Sequence, residues 1–432
     1  MNPKAIFWFR RDLRLNDNHG LFTALAQHSS VLPIFIFDSE ILEKLPKNDA
    51  RVSFIYQRLK TLNKSLDANR QIQTFHGTPK DIFTKLITDH AIKAVYTNHD
   101  YEPYATNRDL GVKNILNQKK IEFKTLKDQV IFEKSEVTKD DGSPYKVYTP
   151  YSKKWLGHFN KNYIAPYPSE TLLENLVEIK EQQWVSLESM GFVEADSKIA
   201  AYEIKADLID SYEENRNTPS VAGTSRLGPY LRFGFLSIRS IVKNALKSSN
   251  NTFLKELIWR EFFMQILWHF PQTVTQSFKP QYEAIKWRNN KEEFERWCQG
   301  KTGYPLVDAG MRELNQTGFM HNRVRMLVGS FLCKHLLIDW RWGEAYFAQK
   351  LHDFELSSNV SNWQWVAGCG VDAAPYFRIF NPTTQIAKFD KDHEYIKKWV
   401  PEYQELTYPK QMVDHKFARE RCLETYKAAL NR

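Results

Sequence analysis

The hydrophobic and polar positions of the chain fall into two regimes. Up to about residue 130, short apolar runs alternate with amphipathic stretches. Ala5-Ile6-Phe7-Trp8-Phe9 and Val31-Leu32-Pro33-Ile34-Phe35-Ile36-Phe37 are nearly continuous in apolar residues, as expected of strands buried on both faces. Ile72-Gln73-Thr74-Phe75 and Ala94-Val95-Tyr96-Thr97 read as two further strands. Amphipathic segments, notably 52–66 and 82–87, lie between them. This alternation predicts an α/β domain with a doubly wound parallel sheet. No GxGxxG follows the first strand, so a dinucleotide fingerprint is absent. From Asp128 to Ser197 the pattern is weak, and a partly structured connection across the surface is expected. From about Ile199 helical periodicity takes over, which predicts an all-α second domain. The expected division is 1–130 for the α/β domain, 131–198 for the connection and 199–432 for the helical domain.

Within the helical region, Pro305 stands where a helix starts and Gly318 where one stops. A second helix is expected from about His321 to Ile338. Val324, Leu327, Val328, Phe331, Leu332 and Leu336 give it an apolar stripe. Asn322, Arg325 and Met326 fall at i, i+3 and i+4 and share one face. An amide, a guanidinium and a thioether together suit a planar polar ligand, although spacing alone favours a partly exposed helix with a paired arginine. Trp363-Gln364-Trp365, followed by Gly368, Gly370 and Pro375, reads as too broken for a long helix. Two tryptophans there either pack in the core or offer a stacking platform.

Composition narrows the partners. The 432 residues carry a net charge of +9, which suits a polyanion such as nucleic acid. The aromatic share of 14% is high enough for stacking surfaces. No apolar run is long enough to span a membrane, and a cytoplasmic protein without a signal peptide is expected. Cys298, Cys333, Cys369 and Cys422 are scattered without a CxxC pair, which reads as reduced thiols and no metal site.

Two further stretches carry candidate chemistry. Gly223-Thr224-Ser225-Arg226-Leu227-Gly228-Pro229 brings hydroxyls, backbone N–H groups and a cation together, as a pyrophosphate needs; an ordinary capped helix fits it equally. Lys255-Glu256-Leu257-Ile258-Trp259-Arg260-Glu261 is helical, with Glu256, Trp259 and Arg260 on one face.

These stretches, together with Phe7-Trp8-Phe9-Arg10-Arg11-Asp12-Leu13-Arg14, Thr317-Gly318-Phe319-Met320-His321-Asn322-Arg323, Ile338-Asp339-Trp340-Arg341 and Asp372-Ala373-Ala374-Pro375-Tyr376-Phe377-Arg378, resemble the photolyase/cryptochrome flavoprotein family. Class I cyclobutane pyrimidine dimer photolyases look most similar, and the resemblance runs over nearly the whole chain. It implies a helical domain that binds FAD, through Tyr212, Thr224, Ser225, Arg226, Leu227, Gly228, Asn322, Arg325, Asp353, Glu355 and Asn359. Gly228 stands where the family usually has Ser, and Glu355 where it often has Asp. Asn359 matches the position facing flavin N5, where plant and animal cryptochromes often have Asp or Cys. By the same resemblance, Glu256 hydrogen-bonds the damaged bases, Trp259 and Trp365 wall the lesion, Met326 is a softer wall, and Asn322 contacts both flavin and substrate. Trp297, Trp340 and Trp363 match an electron-transfer chain from the surface to the flavin. Arg260, Arg323 and Arg378, with Arg226 and Arg232 behind them, are candidates for DNA phosphate contacts.

The α/β domain of this family houses an antenna chromophore. Tyr104 and Ala105 stand where a folate-binding Asn-Glu pair would be. That disfavours folate and leaves a deazaflavin, another chromophore or none. The cysteine spacing argues against the iron–sulfur cluster of some relatives. The function implied is light-dependent repair, by a monomer, of DNA containing pyrimidine dimers: photoexcited reduced FAD passes an electron to a flipped-out cyclobutane dimer, which splits to monomers. The alternatives are a cryptochrome-type blue-light photoreceptor, a 6–4 photoproduct photolyase, for which a His-His pair rather than Met320-His321 is expected, and a non-photochemical nucleic-acid-binding protein.

Overall fold

The computed structural model describes residues 3–430. They form two packing units. One comprises residues up to 136 with 157–200 and 227–247; the other comprises 137–156, 201–226 and the residues from 248 onward. Two segments therefore group differently from the expected division. Residues 227–247 pack with the α/β unit, and residues 137–156, expected in the connection, pack with the helical unit.

The α/β unit holds five parallel strands: β1 (Ala5–Phe9), β2 (Val31–Asp38), β3 (Gln73–Gly77), β4 (Ala94–Asn98) and β5 (Glu122–Leu126), in the order β3-β2-β1-β4-β5. Ala5 is in register with Val31 on one side and Ala94 on the other. Helices α1 (His19–Gln27), α2 (Ala50–Lys64), α3 (Pro79–Asp89) and α4 (Pro103–Gln118) connect the strands. Phe7 and Phe9 join one core cluster, Ile6 and Trp8 another, so alternate residues of β1 face opposite sides of the sheet. Burial on both faces is the doubly wound arrangement. Four strands agree with the sequence pattern. β5 does not stand out, because Glu122-Phe123-Lys124-Thr125-Leu126 is a partly exposed edge strand and lacks a continuous apolar run.

The helical unit contains α5 (Tyr148–His158), α6 (Thr252–His269), α7 (Pro305–Thr317), α8 (Asn322–Ser330), α9 (Trp340–Lys350) and α10 (Leu356–Ala367), besides shorter helices. Helix α7 begins at Pro305 and ends on Gly318 at φ 65°, as the punctuation predicts. The expected helix 321–338 is α8 followed by one π turn, Phe331–His335, before Leu337 turns the chain at φ 49°. Trp363 and Trp365 lie not in a broken loop but in the last turns of α10, which stops at Gly368 with φ 92°. The glycines and proline that suggested a loop begin just beyond. No helix among the described residues is long and apolar enough to cross a membrane.

Candidate functional site

Helices α8 and α10 and the turn before α10 enclose a cavity with about 610 Å³ of empty space, part of it open to solvent. Asn322, Arg325 and Met326 line one side, as their shared helical face predicts; Asp353, Glu355, Asn359, Trp363 and Trp365 line the rest. His321 starts α8, its Nδ1 accepting the Arg323 N–H at 3.2 Å. Burial, reinforced by the charges of Arg325 and Arg323, pushes this imidazole down to about 4, so it is neutral at ordinary pH.

The polar groups on the cavity are ordered by their neighbours. Arg325 donates to both carboxylate oxygens of Asp353, at 3.2 and 2.8 Å, while its Nε holds the Met320 carbonyl at 2.7 Å. This bidentate pair fixes a guanidinium on the wall. Asn359 donates its amide hydrogens to the Glu344 carbonyl and Oε1 at 3.1 and 2.9 Å. Its Oδ1 meets no donor among the described residues. An amide oxygen left open on a cavity wall asks for an N–H from a ligand. Glu344 gave no sequence signal; burial raises its carboxyl.

Trp363 lines the cavity and meets Trp297 edge to face, with centroids 6.2 Å apart, and Phe347 at 4.9 Å. Trp297, Trp340 and Trp363 are 0%, 1% and 3% exposed. This corrects one expectation: none of the three reaches solvent, so they do not by themselves form a path from the surface. Trp297 is a core residue, its indole N–H donating to the Val328 carbonyl at 3.2 Å. Half-buried Phe294 packs against it and carries Trp342 at 5.2 Å.

Glu256 and Trp259 lie on α6 and are half-buried. Arg216, which sequence reasoning missed, donates to Glu256 at 2.6 Å. Tyr148, also missed, stacks on Trp259. Arg260 departs from its expected role. Its side chain is 14% exposed and faces Glu355 at 3.9 Å, an inward ion pair rather than an exposed phosphate contact. Arg232, in the α/β unit, donates to Glu102 at 2.6 Å and is likewise engaged. Arg323 is engaged as well: it hydrogen-bonds Asn217, contacts Met326 Sδ at 3.5 Å and lies over Phe389. Arg378 is exposed, next to Phe377, which is 61% exposed.

Tyr212, Thr224, Ser225 and Arg226 belong to the helical unit but do not line the cavity. Leu227 and Gly228 open the segment that packs with the α/β unit. Arg226 adopts φ 52° and places its guanidinium 4.1 Å from the Phe319 ring, whose other neighbour is Arg325 at 5.8 Å. The loop thus approaches the cavity wall through Phe319.

A doubly wound α/β unit and a helical unit with a polar–aromatic cavity define a two-unit α/β–α protein. The family profile "DNA photolyase" matches residues 5–171, and "FAD binding domain of DNA photolyase" matches residues 253–407. The chain is 35% identical to a deoxyribodipyrimidine photo-lyase of Agrobacterium fabrum, covering 98% of both proteins. Its fold superposes on a bacterial class III photolyase from Agrobacterium tumefaciens with a TM-score of 0.89 and 32% identity, covering 100% of this chain and 98% of that one. A Synechocystis cryptochrome gives 0.83 and 25%, covering 98% and 99%. The chain belongs to the photolyase/cryptochrome family and carries its FAD-binding domain. These comparisons define the family and not the class within it. The open Asn359 Oδ1, the Arg325–Asp353 pair and the aromatic wall fit an isoalloxazine, which combines an aromatic plane with ring N–H groups and carbonyls.

Proposed function

We propose that the chain is a monomeric light-dependent DNA lyase that splits cyclobutane pyrimidine dimers. Bound FAD would supply the photoexcited electron and take it back, so the two C–C bonds of the cyclobutane ring break with no net redox change. The chain's own residues do the positioning. Arg323 and Arg378 hold DNA phosphates, and the dimer leaves the stack at reduced cost because its own stacking is impaired. Trp259 and Trp365 receive its faces and Met326 a third side. Glu256, ion-paired with Arg216, accepts a hydrogen bond from an N–H of the dimer and so fixes its position. Asn322 bridges dimer and cofactor. Tyr212, Thr224, Ser225 and Arg226 would hold the cofactor phosphates, while Arg325, Asp353, Glu355 and Asn359 would hold its ring system.

The observation that carries this reading is Asn359, a neutral amide whose hydrogens are occupied by Glu344 and whose oxygen faces the cavity. It would accept from a ring N–H of the cofactor without adding a charge. The 6–4 reading asks for a histidine pair. Position 320 is Met, and His321 is buried, caps a helix and is held neutral.

The test presents purified FAD-loaded protein with two oligonucleotides, one carrying a cyclobutane dimer and one a 6–4 photoproduct, under blue light. Splitting of the first alone supports the proposal. Splitting of the second alone, or of neither by a photoreducible protein, overturns it in favour of a 6–4 enzyme or a photoreceptor.

A further inference from the structure

We infer that Tyr148 is a positioning residue that braces the Trp259 indole from behind and sets the plane on which a displaced dimer stacks. The inference rests on the reading of Trp259 as a lesion wall. Segment 137–156, weakly patterned in sequence, packs onto α6, the helix that carries Glu256 and Trp259. Trp155 Nε1 donates to Glu261 Oε1 at 2.5 Å, and Gln265 Nε2 donates to the Val137 carbonyl at 3.0 Å. The Tyr148 hydroxyl donates to the Lys255 carbonyl at 2.8 Å, and its backbone N–H to Asp372 Oδ2 at 3.1 Å. The phenol is thus anchored at both ends, by its hydroxyl to α6 and by its backbone to the loop at Asp372.

So fixed, the ring lies flat on Trp259, with centroids 3.6 Å apart and planes 7° from parallel. Phe262 meets both rings edge-on, at 5.9 and 5.7 Å. One indole face is therefore covered, and a base stacks only on the other. Tyr148, Phe262 and Phe263, the last at 5.3 Å, pack around the indole and restrict its movement. A stacking partner held in place before binding loses less side-chain freedom when a base arrives. This advantage belongs to a base displaced from the duplex. Undamaged DNA, held through phosphates, does not use it.

The experiment measures the affinity of the FAD-loaded full chain for a dimer-containing oligonucleotide and for the same undamaged sequence. Variants are Tyr148→Phe, Tyr148→Leu and Tyr148→Met, each also in a Trp259→Ala background, with FAD retention and cooperative melting as fold controls. Tyr148→Leu and Tyr148→Met are expected to lower the preference for damaged DNA by about fivefold to tenfold, as loss of part of one base–aromatic stack implies. Undamaged affinity should not change. Tyr148→Phe keeps the stacked ring but loses the hydroxyl anchor, so its preference should fall between those of wild type and of the Leu and Met variants. In the Trp259→Ala background, Tyr148→Leu should add nothing. An unchanged preference in the Leu and Met variants, or an equal loss in the Trp259→Ala background, would overturn the inference. Should the Leu variant fail to fold, the Met and Phe variants decide. A wild-type protein with no preference for damaged DNA would instead overturn the proposed function.

Discussion

The amide hydrogens of Asn359 both point to Glu344, one at its carbonyl and one at its carboxyl. The amide oxygen is therefore turned to the cavity, and its orientation depends on a residue of another helix. Glu344→Ala removes the carboxyl hold and leaves only the backbone carbonyl, so the amide is less firmly oriented. The reduced flavin should then lose part of one hydrogen bond, about 1 kcal/mol, or roughly 40 mV for one electron. Asn359→Asp, which sets a carboxylate beside an electron-rich ring, should shift the potential further in the same direction. Spectroelectrochemical titration of the bound flavin checks both; unchanged potentials would contradict this arrangement.

The contact of Trp363 with Trp297 is tight on its far side as well. A Cβ on Gly343 would come within 2.1 Å of the Trp363 ring and 2.7 Å of Leu332. Gly343→Ala should cost roughly 1–3 kcal/mol of stability by overpacking and displace the indole. Flavin photoreduction should slow in this variant and in Trp363→Phe. Repair by enzyme reduced chemically beforehand should be unaffected in Trp363→Phe. Denaturant melts and transient absorption read the two effects separately.

Arg216 and Glu256 form a short ion pair on partly exposed side chains, 23% and 34% accessible. Such a pair contributes less than about 1 kcal/mol to stability. Arg216→Ala should therefore melt close to wild type. Glu256→Ala should melt there too yet repair far more slowly, because the dimer loses the acceptor that positions it. A large drop in melting temperature in both variants would mean that the pair is structural.

His321 makes the protein acid-sensitive. Its folded pKa of about 4 lies below the ordinary value of 6.5. The unfolded chain thus takes up the proton first as pH falls. The stability contributed is complete above about pH 6.5 and is lost as pH falls toward 4, to the extent of about 3 kcal/mol. His321→Asn keeps the helix cap and cannot titrate, so its unfolding free energy should vary less over this window. Urea melts at pH 7 and pH 4.5 make the comparison.

How far the sequence carries depends on the distance between partners. Strands β1, β2 and β4 are legible because burial on both faces leaves nearly unbroken apolar runs; β5 is not, because an edge strand can stay polar. Asn322, Arg325 and Met326 are legible as one face because helical geometry alone puts them together. Asn359 with Glu344, 15 residues apart, and Glu256 with Arg216, 40 apart, meet only through tertiary packing. The burial of Trp297 is of the same kind: a tryptophan word in the sequence does not say which end of a chain faces water.

The central claim is tested most directly by illuminating reduced, FAD-loaded protein with a dimer-containing oligonucleotide and following the recovery of thymine absorbance, against a dark control. Recovery is expected in blue light only, with a wavelength dependence that tracks the bound flavin. A protein that binds FAD, photoreduces it and still returns no thymine absorbance would contradict it.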